Sequence, residues 1–361
     1  MKLLRWLFLL LCAAATPARA AGPATAGEFT VDGVRVIVQP RPASETVTAG
    51  IFVRGGRQNQ TAANAGIEAL LFAAAIEGTE RFPRDALRAE VARTAAVLDY
   101  KCFDDYSVLS VRCTVDVLPR ALALAADALL HPALAPEDVE RVRTRLVALA
   151  ASDTDLDRVR RREADVWLLR GHPYAAPTEG TPETLRAITL ADLRAHHARV
   201  LARGRMLVVV AGGVDVAQVQ PLLQGVFAAV PAGDPPPPAA PALQFSAPGS
   251  RTARFASSVP RADVLFAAPA ADAPDFPALQ LAAAILRTRL FEVLRDRASL
   301  AYDPTVDLEV QAAPRGAIRF STADPDAAAR LVAEQVDRLR REAVPATRSE
   351  EHTSELQSRL H

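Results

Sequence analysis

The 361-residue sequence predicts a mixed strand-and-helix fold built twice over. Three observations carry that expectation. A Pro-rich run, GDPPPPAAP at 233–241, is stiff and extended and divides the chain. On each side of it a strand, a helix, a hairpin and a helix follow one another at nearly the same spacing, the mark of a duplicated unit. The length also fits two domains of roughly 100–200 residues each.

The elements are justified in order. MKLLRWLFLLLCAAATPARA reads as a secretory signal over 1–20. Lys2 and Arg5 form its basic start, Leu7 to Ala15 its apolar stretch and Ala18-Arg19-Ala20 its cleavage site. The apolar stretch is shorter than the ~20 residues a membrane helix needs. Cys12 lacks the small residues that precede a lipoprotein cysteine. The expected product is exported and periplasmic, with no membrane span after signal removal.

The first unit spans 28–232 and opens with a strand in TAGIFVRGG (48–56) and a helix at 65–77. A hairpin over 95–114 turns near Asp104–Asp105, with alternating apolar residues in SVLSVRCTV, and a helix lies in DVLPRALALAADALLH (116–131). Pro136-Glu137-Asp138 suits a helix start. A long helix around 155–170, a loop at GHPY, a helix after Thr189 and a strand in MLVVVAG (206–212) complete the unit. Beyond the linker at 233–244, the second unit (245–347) has a strand in ADVLFAAPA (262–270) and a helix from Asp275 to about Asp296. A hairpin over 301–321 and a helix at 325–342 follow. The tail RSEEHTSELQS matches a translated sequencing adapter, so 348–361 is read as read-through, and the second unit as an incomplete fragment of a longer protein.

Forty-two basic and forty-two acidic residues cancel, which gives no electrostatic reason to expect nucleic acid or an anionic membrane as partner. Export permits a disulfide between Cys102 and Cys113. The turn at 104–105, however, pairs Cys102 with residues 106–107, so two structural thiols are expected. His131 and His172 precede Pro in loops, and His196 and His197 diverge by about 100° on one helix; all four read as structural or surface residues. Glu68 and Glu77 read as solvated helix-end residues, and RVRRRE (158–163) as a salt-bridged, solvated face.

Several ordered stretches carry a specific resemblance. FVRGGRQ (52–58), GIEALLFAAAIEGT (66–79), GHPYAAPTEGTPETLRAITLADLRAHH (171–197), LVVVAGGVD (207–215) and RLFEVLRDRASLAY (289–302) together resemble the pitrilysin/insulinase family of zinc peptidases. The resemblance covers most of 28–347 and implies an α+β fold, two homologous α/β-sandwich domains facing each other as a clamshell, the second truncated.

Active members of that family bind zinc through H-x-x-E-H, two His on one helix face with a Glu general base between them, and a further Glu downstream. In the gap-free match the His positions fall on Ala69 and Ala73, the base on Phe72 and the downstream ligand on Ala150. None of these side chains can hold a cation or activate water. A substrate-contacting stretch of the family falls on Leu98-Asp99-Tyr100-Lys101-Cys102 and has lost its pattern. What the family's second domain keeps is an Arg and, seven residues on, a Tyr, here Arg295 and Tyr302. The resemblance therefore implies a non-catalytic subunit without metal or cofactor. Its substrate would be a peptide or unfolded polypeptide, and its partner a homologous, zinc-bearing subunit in a heterodimer. A scaffold or peptide-binding protein without a peptidase partner is the alternative, and an active metalloendopeptidase fits the lost ligands worst.

Overall fold

The computed structural model describes residues 25–152, 156–169, 171–233, 243, 249–250, 252, 254 and 259–343. The expected signal, all of the linker except Gly233 and Leu243, and the tail at 348–361 lie outside these residues. The first unit opens with β1 (Gly27–Val31) and β2 (Val34–Pro40), a hairpin whose turn residues Asp32 and Gly33 both have positive φ. After β3 (Thr46–Arg54) come α1 (Ile67–Ala75), α2 (Arg84–Arg93), β4 (Val97–Cys102), β5 (Tyr106–Thr114) and α3 (Leu118–Leu130). Next are α4 (Pro136–Ala151), α5 (Leu156–Leu168), α6 (Pro182–Ala187), α7 (Leu190–Val200), β6 (Met206–Gly212) and α8 (Val216–Leu223). The strands form one sheet in the order β1-β2-β6-β3-β5-β4, with only the β2–β6 pair parallel.

Alternation explains the sheet. Val47, Ala49, Ile51 and Val53 point from β3 into the core, while Thr46, Thr48 and Arg54 face solvent. The helix α1 is apolar on every side and buried along its whole length, which suits a central position and no surface one. Its N-terminus is fixed by a close backbone approach. Gly66 and Gly180 both have positive φ, and a Cβ on Gly66 would lie 2.8 Å from the Gly180 Cα. Downstream, α7 starts with a capping box, in which Thr189 Oγ1 accepts from the Asp192 N–H and the Asp192 carboxylate accepts from the Thr189 N–H.

The second unit has β7 (Arg261–Ala267), α9 (Phe276–Leu290), β8 (Thr305–Glu309), β9 (Arg315–Ser321) and α10 (Pro325–Arg341), with its sheet in the order β7-β9-β8. That repeats β3-β5-β4: the third strand of each set sits between the first two, and a helix follows the first and third strands. The hairpin register places Cys102 opposite Ser107 and Cys113 opposite Val47, and both thiols are free. Burial, then the nearby Glu68 charge, pushes the Cys102 thiol well above its ordinary range. The pair β1–β2 and the helices α2, α6 and α8 are not in the sequence reading, because their apolar periodicity is short or interrupted.

The two units meet through buried charge. Asp165 on α5 accepts from Arg57 Nη1 at 3.1 Å and from Arg315 Nη1 on β9 at 2.6 Å. Arg57 Nε also reaches Asp104 at 2.9 Å, and Arg315 Nε reaches Glu309 at 2.5 Å. The Ala312 N–H donates to Asp105 at 2.7 Å, and Gln311 donates to Asp104. Burial opposes the charge on Arg315, yet Asp165 and Glu309 hold it well above its ordinary range. The basic run at 158–163 departs from the expected solvated face, because α5 lies between the units: Arg160 is largely covered and pairs with Asp263 of the second unit.

Removing Asp165 would take one carboxylate from each of two buried guanidiniums and leave Arg57 to Asp104 and Arg315 to Glu309. Asp165→Ala is expected to lower stability by about 2–3 kcal/mol, below the ~3–5 kcal/mol of an uncompensated buried charge because each arginine keeps a second carboxylate. Urea denaturation measures this, and a loss below about 1 kcal/mol would show that water replaces the carboxylate.

Candidate functional site

The three positions that the resemblance assigns to metal ligands, and the one it assigns to the base, come together as hydrocarbon. Ala69, Phe72 and Ala73 on α1 and Ala150 in the last turn of α4 are all buried in one apolar core, and α1 packs on α4. A divalent cation needs lone-pair donors, and these side chains offer none. The residues present do not fit a zinc ion. The one carboxylate on α1, Glu68, is already committed elsewhere.

Glu68 corrects the sequence reading. It is 1% exposed, and it does share a contact with a histidine. Its Oε1 accepts from Asn59 Nδ2 at 2.8 Å and from His196 Nε2 at 3.1 Å, and Ser107 Oγ donates to its Oε2. The position near the helix end suggested solvent, but the chain folds over that end. The 3₁₀ turn at Gly56–Asn59, β5 and α7 all close upon it. Glu77 departs from the same reading: it is mostly covered and ion-paired with Arg84 at 2.9 Å.

The tautomer of His196 follows from its neighbours. Arg199 Nη2 lies 2.7 Å from His196 Nδ1, and a guanidinium can only donate. Nδ1 is therefore the acceptor, and Nε2 carries the proton that goes to Glu68. Arg199 also donates to the Asn59 carbonyl at 2.8 Å, and Arg205 to Asn59 Oδ1 at 3.1 Å. His197 turns the other way, to the Leu129 carbonyl at 2.8 Å, which matches the expected divergence. This network fastens α1 to its surroundings; enclosed as it is, it offers no substrate access. The sequence signal for it was the lone acid in an apolar helix, together with His196 and Arg199 one helical turn apart.

Arg295 and Tyr302 do meet. Beyond Leu290 the helix α9 continues as a π-helical turn over Phe291–Arg297, where the Ala298 N–H donates five residues back to the Val293 carbonyl at 3.0 Å. Arg295 lies over the Tyr302 ring at 4.8 Å and over the Phe291 ring at 4.6 Å, within cation–π reach. Tyr302 is 74% exposed. The pair borders an open cavity of about 680 Å³, whose wall includes Arg261, Ser299, Asp303 and Ser321. Arg261 in turn binds Asp157 of the first unit. Leu98 to Cys102 lie in β4, the end strand of the first sheet, so one row of its backbone groups has no strand partner among the described residues.

Fold and site together define a duplicated α+β unit of the kind that carries a metallopeptidase centre, with hydrocarbon at the centre. Residues 35–181 match the family model of the Insulinase (Peptidase family M16), and residues 187–356 that of the Peptidase M16 inactive domain. The chain belongs to this insulinase, or M16, peptidase family. It is 28% identical over 261 residues to cytochrome b-c1 complex subunit 1 of Bos taurus, covering 71% of this chain and 54% of that one. It is 26% identical over 242 residues to the probable mitochondrial-processing peptidase subunit beta of Schizosaccharomyces pombe, covering 66% and 51%. The chain thus spans about half the length of these two relatives. A solved peptidase M16 inactive domain from Pseudomonas fluorescens shares the fold, with a TM-score of 0.79 at 20% identity over 92% of this chain and 83% of that one. Among the described residues no helix is long and apolar enough to cross a membrane.

Glu68→Ala removes the acceptor for three buried donors. It is expected to cost about 3–5 kcal/mol, since each stranded donor costs roughly 1–3 kcal/mol and partial relaxation recovers some of it. Chemical denaturation of the variant tests this, with Glu77→Ala as the milder comparison.

Proposed function

We propose that this protein is a non-catalytic subunit that holds an extended peptide for cleavage by a zinc-bearing homologue. The observation that carries the reading is a contrast. The three expected ligand positions and the expected base position are sealed hydrocarbon, while Arg295 and Tyr302 remain stacked, with the Tyr ring open to solvent. Packing alone gives no reason to keep an exposed Tyr beneath an Arg. The edge of β4, without a strand partner among the described residues, supports the peptide-holding part, because an added strand satisfies unpaired backbone groups and gains affinity from main-chain hydrogen bonds. Arg295 would anchor a substrate carbonyl or carboxylate, and the Tyr302 hydroxyl would donate to the oxyanion that forms as the partner's centre attacks. Export to the periplasm would place the pair among unfolded or secreted polypeptides.

The purified protein is expected to bind no stoichiometric zinc. Elemental analysis after dialysis against chelator and then zinc reads this directly, and one retained zinc per chain would overturn it.

In the reconstituted pair, Tyr302→Phe is expected to leave folding and assembly intact and to slow peptide cleavage about 10²-fold, as loss of one oxyanion donor does. Arg295→Ala should slow cleavage as well. Unchanged rates in both variants would leave a scaffold role in place of catalytic assistance.

A further inference from the structure

Beside the inactive centre lies a second cavity, of about 320 Å³, that the peptide-holding reading does not use. It is walled by Arg158, Arg161 and Arg162 of α5, by Arg57, and by the Pro177–Glu179 loop. Three carboxylates also line it, and each is engaged. Asp165 is shared by Arg57 and Arg315, Asp157 is bound by Arg160 and Arg261, and Glu179 lies 3.5 Å from Arg158. The basic side is not matched in the same way. Arg162 is only 21% exposed, and its carboxylate neighbour, Glu163, is 3.9 Å away, beyond hydrogen-bond distance. Arg161 has no carboxylate or hydrogen-bond partner among the described residues. Two guanidiniums on adjacent residues, Arg161 exposed and Arg162 partly covered, therefore present unused donors to one half-open cleft.

We propose that this cavity is a subsite for the carboxylate side chains of an acidic peptide segment, an inference that rests on the peptide-holding role above. Guanidinium forks bind carboxylates through paired, charge-assisted hydrogen bonds. The volume is at the small end of ligand sites, fitting one or two side chains and not a whole cofactor. The place is also right for a peptide. Arg57 binds Asp104 in the turn that closes the edge strand β4. Arg158 donates to the carbonyls of Leu149 and Ser152, on either side of the Ala150–Ala151 end of α4. A chain paired along β4 can thus send an acidic side chain into the cavity as it passes the inactive centre.

The test uses fluorescence anisotropy with two labelled extended peptides that differ only in carrying Glu or Gln at the same positions. The protein is expected to bind the Glu peptide about tenfold tighter at low salt, as one charge-assisted contact implies, with the advantage shrinking at high salt. The double variant Arg161→Gln, Arg162→Gln should lose that advantage and keep its affinity for the Gln peptide. Arg161→Lys, Arg162→Lys should fall between the two. Equal binding of the two peptides by the wild-type protein overturns the acidic subsite and leaves the peptide-holding role. Failure to bind either peptide removes both. Because the wild-type comparison needs no variant, the outcome does not depend on the variants folding.

Discussion

A carboxylate held between two arginines joins the halves of this molecule. Arg57 from the first unit and Arg315 from the second both close on Asp165. Charges this deeply covered are stable only when paired and hydrogen-bonded. Arg57 extends the cluster to Asp104 and Arg315 extends it to Glu309, so the β4–β5 turn, α5 and the β8–β9 hairpin share one electrostatic joint. An apolar contact would tolerate sliding. A set of directional bonds holds the contacting segments in register.

Much of the architecture could be read from the sequence, for physical reasons that differ by element. The strands β3, β5 and β6 alternate or run apolar without interruption, and α1 is too apolar to sit anywhere but the centre. The repeat was readable because both copies kept the same order of strand, helix, hairpin and helix. The helix α2 was not, since RDALRAEVAR buries only Leu87 and has little periodicity to show. The arrangement of charges was the least legible part. Glu68 and Asp165 look like ordinary polar residues in a row of letters; their burial comes from elements over a hundred residues away, as the bonds to His196 and Arg315 show. Arg295 and Tyr302 were legible by spacing, whereas their stacking depended on the wide turn between them.

The site helix shows how a catalytic element can lose its chemistry and keep its position. With Ala at the two ligand positions and Phe at the base position that the resemblance assigns to it, α1 packs as hydrocarbon, and Glu68, one residue before Ala69, makes the polar contacts. Where a metal would have tied α1 to α4, the Glu68 bonds tie α1 to α7, to β5 and to the 3₁₀ turn at Gly56–Asn59. The helix is therefore fixed by neutral and charged hydrogen bonds on one side and by apolar packing on the other.

The π-helical turn at Phe291–Arg297 has a further consequence for the history of the chain. Such a turn holds one residue more than an α-helix would need to cover the same length. Deleting a single residue there would let ordinary helical bonding resume, and every side chain beyond the deletion would swing by about 100°. Arg295 would leave the Phe291 and Tyr302 rings without any change in its own identity. The segment thus behaves as a dial with discrete stops, and drift in its length is as damaging to the pair as drift in its letters. Relatives that kept the Arg and Tyr but changed the residue count between 290 and 298 are expected to have given up the stacked geometry.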